Sequence, residues 1–455
     1  MKLGVVGAGY VGLTTAVCLA SLGHKIVIYD TDKSKLRQIA NRKMPFYESG
    51  LQEILEQVIS SQSLLSCNDI KELVQNTDAS FVCVGTPTMQ DGSIDLSQVI
   101  NASKSVGLCI RNGRKNKYVI IIRSTVIPGT TRKTILDLLK NILSNEEFRL
   151  AVVPEFLREG QALSDFMNPD KIVIGSFDEK THDFVESIFY HFKNKARIIK
   201  TNPETAELIK YTNNAFFSML ISFANEIANI SEKISGVDSF EVLKALVSDK
   251  RITTKLSGKD IIPELQSYLV PGCGFGGSCF PKDVRAIIQF ASSTQVKTPL
   301  LESVMKINDD RPKRILDLAK SILGDLRDKK ITILGLTFKP DTDDVRSSPA
   351  LEAIRLLREI GAKIFAYDPI LSKNNSKNKN TDFMLSDSLE ESLEGSDLAI
   401  LFTKWPEFQI INSKLLKTHM NNPVIIDGRG YLNKNNFDKN SYFKIGHTEE
   451  SLDRD

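Results

Sequence analysis

Cysteine and histidine are scarce in this 455-residue chain, at six and five residues. The cysteines (Cys18, Cys67, Cys83, Cys109, Cys273 and Cys279) are scattered, with no CxxC pair and no histidine cluster beside them. That spacing argues against a disulfide framework and against a zinc site, so no metal is expected. Isolated histidines give no support to His-based metal or triad chemistry. An excess of charge of one sign is missing too. The chain has 59 Lys and Arg against 56 Asp and Glu, a net +3, so neither nucleic acid nor membrane binding is predicted. No apolar run reaches membrane-spanning length, and the one opening at Met1 breaks at Gly7, too short for a signal-peptide core. The expected compartment is the reducing cytoplasm.

At this length two or three domains are expected. The first thirty residues read as strand, glycine turn, helix, strand. A strand is predicted over 3–6, a helix over 13–22 ended by Gly23, and a strand over 25–29 closing at Asp30. Further strands at 79–84 and 118–122, separated by helical stretches, give the alternation of a parallel sheet covered on both faces. A long helix is predicted from about Pro203 to Gly236. Two caps compete for its start: Thr201 with Glu204 as a capping box, or Asn202 with Pro203 in the first helical position. Rich in Phe, Leu, Ile and Ala, this helix suits a homodimer contact or burial within one subunit equally well. From Lys330 the opening pattern returns. It gives a strand at 331–334, a helix capped by Ser347 or Ser348 and ended by Gly361, a strand at 363–367 closing at Asp368, and strands at 398–402 and 424–426. The Asn- and Lys-rich stretch 372–381 reads as a mobile surface loop, and the tail after His447 is polar. The expected fold is α/β, two Rossmann-like doubly wound domains joined by a long central helix. The expected domains are 1–200, 201–311 and 312–455.

Gly7-x-Gly9-x-x-Gly12 lies between a strand and a helix, the context that gives this pattern meaning. Gly7 makes the turn, Gly9 lets a pyrophosphate meet backbone N–H groups, and Gly12 lets helix and strand pack closely. Asp30 stands where an acid accepts hydrogen bonds from a ribose and repels a 2′-phosphate. NAD is therefore favoured over NADP, with Lys33 and Lys35 nearby pulling the other way. The third region repeats the topology without the glycine pattern. Its turn carries Lys339, which suits a phosphate-bearing ligand that is not held as a dinucleotide.

Between these halves stands Gly272-Cys273-Gly274-Phe275-Gly276-Gly277-Ser278-Cys279-Phe280-Pro281-Lys282-Asp283. The glycines let the backbone approach a ligand closely. Beside Cys279, Lys282 offers a cation that favours thiolate, and Asp283 a carboxylate able to handle protons or water. The alternative is a glycine-rich turn around a buried, inert cysteine.

These blocks, with Arg123-Ser124-Thr125-Val126-Ile127-Pro128-Gly129-Thr130, Pro154-Glu155-Phe156-Leu157-Arg158-Glu159-Gly160, Glu207-Leu208-Ile209-Lys210-Tyr211 and the stretch 335–346, resemble the UDP-glucose/GDP-mannose dehydrogenase family over nearly the whole chain. The resemblance implies oxidation of a sugar-nucleotide primary alcohol to a carboxylate with two NAD. It points to UDP-glucose as substrate, with GDP-mannose or a UDP-N-acetylhexosamine as alternatives. It makes Cys279 the nucleophile and assigns Thr125, Glu155, Lys210, Asn214 and Asp283 to the chemistry. For NAD the matching positions, besides the glycines, are Val11, Asp30, Lys35, Thr86, Thr125, Glu159, Lys282 and Arg346. For the sugar nucleotide they are Glu155, Phe156, Leu157, Arg158 and Glu159, with Lys210 and Asn214. Tyr268, Leu269, Val270, Pro271, Gly272, Gly276, Lys339 and Arg429 complete that set, and Arg251 matches an arginine that reaches across a dimer. Lys210 and Asn214, at i and i+4, share one helix face. A silent nucleotide-sugar-binding or redox-sensing protein is the competing class.

Overall fold

The structure is a computed structural model that describes residues 1–111, 117–256, 259–373 and 383–447. The chain divides into two compact units, Met1–Asn213 and Asn214–Asp455.

The first unit is built on eight strands: β1 (Lys2–Val6), β2 (Lys25–Tyr29), β3 (Leu64–Ser66), β4 (Ala79–Val82), β5 (Tyr118–Ile122), β6 (Phe148–Val152), β7 (Lys171–Ser176) and β8 (Arg197–Thr201). Their order is β3-β2-β1-β4-β5-β6-β7-β8, parallel except where β7 runs against β6. Side chains alternate across a sheet, and both faces here are apolar. Leu3, Val5, Ile26, Ile28, Val119 and Ile121 enter one cluster, while Val6, Val82, Ile120 and Ile122 enter the other. The first helix, Tyr10–Ser21, starts three residues before its predicted beginning because extended Gly9 already serves as its N-cap.

The second unit carries six parallel strands after a small antiparallel hairpin, β9 (Thr254–Leu256) with β10 (Lys259–Ile261). They are β11 (Lys330–Leu334), β12 (Lys363–Tyr367), β13 (Met384–Leu385), β14 (Leu398–Leu401), β15 (Ile425–Asp427) and β16 (Tyr442–Lys444), in the order β13-β12-β11-β14-β15-β16. Ser348, not Ser347, caps the helix Pro349–Ile360, and Gly361 ends it at φ +92°. The long helix spans Pro203–Ser231 and passes from the first unit into the second. Asn202 accepts the Thr205 N–H at 2.8 Å, which resolves the cap in favour of Asn202 with Pro203 behind it. Glu204 is drawn instead to Arg132. The helix stops five residues short of Gly236, where the chain turns. The sequence expectation of two doubly wound domains and a long central helix is met.

Ser372 lies at the end of the short helix Pro369–Lys373, so the predicted loop does not begin there. The rest of that loop and the polar tail lie outside the described residues. Among the described residues no helix is long and apolar enough to cross a membrane, and no cluster of metal-ligating side chains forms.

Candidate active site

In the first unit the candidate residues stand beyond the carboxyl ends of β1, β4, β5 and β6, where doubly wound sheets bind ligands. Gly7 turns at φ +104°, a conformation that disfavours side chains. A Cβ on Gly12 would stand 1.9 Å from the Gly7 carbonyl oxygen, so only glycine permits this approach of helix to turn. A Cβ on Gly9 would meet nothing within 4 Å. The helix behind it has no side-chain cap and no acid in its first turn, where Val11 sits. Open space over uncapped N–H groups at a positive helix end fits the pyrophosphate of NAD. Asp30 Oδ2 accepts the Ala8 N–H at 2.6 Å and Oδ1 the Asp32 N–H at 2.8 Å, which fixes the carboxylate beside the turn. Lys33 is turned away, bonded to the Asn68 carbonyl and lying over the Tyr29 ring, and Lys35 is on the helix Lys33–Ala40. Thr86 follows β4 and is buried, Thr125 follows β5 and is half-buried, and buried Glu159 follows β6.

Glu155 and Lys210 form a buried ion pair at 3.0 Å, with side chains 5% and 4% exposed. Glu155 Oε2 also accepts the Leu157 N–H at 2.6 Å. Burial pushes this carboxyl up, but Lys210, the Leu157 N–H and Arg123 together outweigh it and hold its pKa below the usual range. Phe156 lies under both the Lys210 and Lys171 ammonium groups. Arg158 is tied to Asp165 at 2.7 Å.

Two acids that the sequence reading did not single out hold this architecture. Buried Glu48 accepts the Gly160 and Ala162 N–H groups at 2.7 and 2.8 Å, and the Tyr10 hydroxyl donates to it. Tyr10 lies inside the glycine turn, so Glu48 links that turn to the loop after β6. Glu207, one turn before Lys210, accepts the Gly129 N–H at 2.6 Å and the Thr131 N–H at 2.8 Å. It thereby anchors the segment that carries Thr125. Burial raises the Glu207 pKa to about 7 in spite of those bonds. The Glu207 block was visible in the sequence, whereas nothing around Glu48 marks it.

In the second unit Cys279 is the N-cap of the helix Phe280–Ser293. Its sulfur stands at the positive end of a 14-residue helix, with Ser278 Oγ 3.5 Å away. One turn on, buried Asp283 accepts from Asn214 Nδ2 at 2.7 Å and pairs with Lys282 at 2.5 Å. Asn214 and Lys282 thus meet at Asp283, one turn behind Cys279. The loop before them is packed to contact. A Cβ on Gly276 would meet the Ser347 carbonyl oxygen at 2.4 Å, and Gly277 donates to the Arg346 carbonyl at 2.8 Å. Exposed Arg346 pairs with Asp344, and Lys339 lies over the Phe338 ring. Gly272 donates to Asn225 and accepts from Arg311, and Arg429 Nη1 donates to the Gly274 carbonyl. Tyr268 packs on Phe217, with Leu269, Val270 and Pro271 leading from it to Gly272. Cys273 is fully buried, bonded to the Gly428 carbonyl, and its thiol is pushed up to about 11, so it packs inertly. Arg251 stands apart, exposed and paired with Asp249 two residues away.

The second sheet does not repeat the half-buried setting of Asp30. Asp368 ends β12 as Asp30 ends β2, but it is wholly buried. It accepts from the Leu336 and Thr337 N–H groups and from Trp405 Nε1. That carboxylate secures its own turn.

Three family models cover the chain in succession. They are the NAD-binding domain of the UDP-glucose/GDP-mannose dehydrogenase family over residues 1–193, its central domain over 204–310 and its UDP-binding domain over 332–434. The UDP-glucose 6-dehydrogenase TuaD of Bacillus subtilis is 37% identical over 94% of this chain and 89% of its own length. The UDP-glucose 6-dehydrogenase AglM of Haloferax volcanii is also 37% identical, over 94% of this chain and 96% of its own. A solved UDP-glucose dehydrogenase from Pyrobaculum islandicum superposes with a TM-score of 0.88 at 35% identity, covering 98% of both chains. With all three domains matched in order and identity sustained along nearly the full length, the chain belongs to the UDP-glucose/GDP-mannose dehydrogenase family.

Proposed function

We propose that this protein oxidises UDP-glucose to UDP-glucuronate with two NAD, using Cys279 as a covalent trap. The observation that carries the covalent step is Cys279 at the head of its helix, with Asp283, Asn214 and Lys282 gathered one turn behind it. The sum is RCH2OH + 2 NAD+ + H2O giving RCOO− + 2 NADH + 3 H+. NAD, when bound, supplies the oxidising power by accepting a hydride at each of the two oxidations. The glycine turn, Asp30 and the loops at Thr86, Thr125 and Glu159 hold it, with Lys35, Lys282 and Arg346 as further contacts. Cys279 thiolate adds to the C6 aldehyde to give a thiohemiacetal. After the second oxidation that adduct is a thioester, which water cleaves to the acid. Lys210 and Asn214, one turn apart on the long helix, donate to the oxyanion. Glu155, kept ionised by Lys210, accepts from the hydrolytic water, and Asp283 positions water during the first oxidation.

The same reading divides the chain into a cofactor domain at 1–200, a central domain at 201–311 and a UDP-sugar domain at 312–455. It also makes the protein a homodimer through the long helix. Phe216, Phe223 and Ile230, spaced by seven, are 46%, 42% and 55% exposed and form an apolar stripe that suits a second copy. Exposed Arg251 is the residue offered to the partner's substrate. A reducing cytoplasm suits the thiol.

The test is the NADH released per UDP-glucose consumed, with GDP-mannose and UDP-N-acetylglucosamine run alongside. Two NADH and an acid product are expected from UDP-glucose. One NADH per sugar would sink the covalent trap, and activity confined to another sugar would move the substrate assignment. A second expectation concerns the cofactor. Asp30→Asn keeps an acceptor for the Ala8 N–H but removes the charge. It should weaken NAD binding about tenfold and narrow the preference over NADP, because a charge-assisted bond exceeds a neutral one by ~1 kcal/mol or more. Steady-state KM values for both cofactors check this, and an unchanged ratio would place the ribose contact elsewhere.

A further inference from the structure

Two cations in the second unit are held together without a counterion. Strands β11, β14 and β15 are neighbours in the sheet, with β14 in the middle. The segment after β14 carries Lys404, a residue the sequence reading passed over. It is tied on both sides. Thr403 Oγ1 donates to the Thr337 carbonyl at 2.5 Å, in the turn after β11 that carries Lys339. Arg429 Nε, from the loop after β15, donates to the Phe402 carbonyl at 2.6 Å. Neither Lys404 nor Arg429 has an ion pair among the described residues. The carboxylates that end the neighbouring strands are already engaged. Asp427 accepts from the N–H groups of Arg429, Tyr431 and Leu432 and from the Tyr442 hydroxyl. Asp368 accepts from its own turn and from Trp405. The Lys404 ammonium is accordingly ill at ease, its pKa lowered by desolvation first and by Arg429 second. Its surface nonetheless remains exposed, so a ligand can reach it. Like charges gathered at the carboxyl ends of parallel strands form a site for an anion.

We infer that Lys404 binds the diphosphate of the nucleotide sugar together with Arg429, the two cations being brought into register by the Phe402–Arg429 bond. The inference rests on the substrate reading above and adds a residue to it. Calorimetric titration of the full-length protein with UDP, uridine and inorganic pyrophosphate tests it, comparing wild type with Lys404→Gln and Lys404→Arg. Lys404→Gln should weaken UDP about tenfold or more and flatten the salt dependence of its Kd, leave uridine unchanged, and raise the KM for UDP-glucose more than it lowers kcat. Lys404→Arg should restore most of the UDP affinity. UDP binding within twofold of wild type in Lys404→Gln overturns the inference. Equal losses for UDP and uridine would show a structural role and overturn it as well. Pyrophosphate binding as tightly as UDP would make the site a general anion sink and likewise overturn the assignment. If wild type itself fails to bind UDP, the substrate reading falls first and carries this inference with it.

Discussion

Replacement of Cys279 by alanine is expected to abolish acid formation while leaving both ligands bound. The side chain is half-buried at a helix N-cap, it enters none of the hydrophobic clusters, and the helix retains Pro281 in its first turn. Folding and ligand binding should therefore survive. What the variant loses is the trap. An aldehyde has no thiol to hold it at the oxidation level from which the acid is made, and no thioester forms for water to cleave. A loss of at least about a thousandfold in UDP-glucuronate production corresponds to ~4 kcal/mol of transition-state stabilisation. Single-turnover reactions with a carbonyl trap such as hydroxylamine separate the halves of the reaction. The variant should give one NADH and a trapped aldehyde, and wild type two NADH and acid. Acid formed at a near-normal rate by the variant would remove Cys279 from the mechanism and return it to the inert turn that its glycine-rich setting also allows.

Local chemistry made much of this legible in advance. The glycine turn, Asp30 and the Cys279 loop could be read because each stands in a short local pattern of sequence, and because continuous apolar runs bounded by turn residues mark where the strands end. The first helix and the long helix were located, but their ends shifted. Gly9 caps without a side chain, and the turn beginning at Glu232 ends the long helix before any glycine is reached. The acids that brace the site were harder to see. Glu48 acts 112 and 114 residues away, on the backbone N–H groups of Gly160 and Ala162, and a backbone donor leaves no mark in sequence. Asp368 is likewise settled only by the fold. It follows Tyr367 as Asp30 follows Tyr29, yet it is enclosed by its own turn and by Trp405. Lys404 escaped notice because its meaning depends on which strands are neighbours. β14 lies between β11 and β15 only in the folded sheet.

Lys210→Met should be the most destabilising of these substitutions. Methionine keeps an unbranched side chain of similar reach and lacks the terminal ammonium. Glu155 would then be a buried carboxylate with the Leu157 N–H and the charge of Arg123 as its remaining support. Breaking a buried pair from one side typically costs about 3–5 kcal/mol, because an uncompensated charge is left behind. Urea denaturation at pH 7 measures the loss. Its pH dependence identifies the cause. In wild type the Glu155 pKa is depressed in the fold, so this group contributes stability above its unfolded value of about 4.3 and loses it as pH falls through the folded value. In Lys210→Met burial dominates, the folded pKa rises above the unfolded one, and the sign reverses. The gap between variant and wild type should be widest at neutral and alkaline pH and narrow towards pH 4. Adding Glu155→Gln should recover a large part of the lost stability, because the orphaned charge is gone, while activity stays low. A double variant whose loss equals the sum of the two single losses would show that the 3.0 Å contact carries no coupling. Lys210 would then serve the substrate without holding the fold.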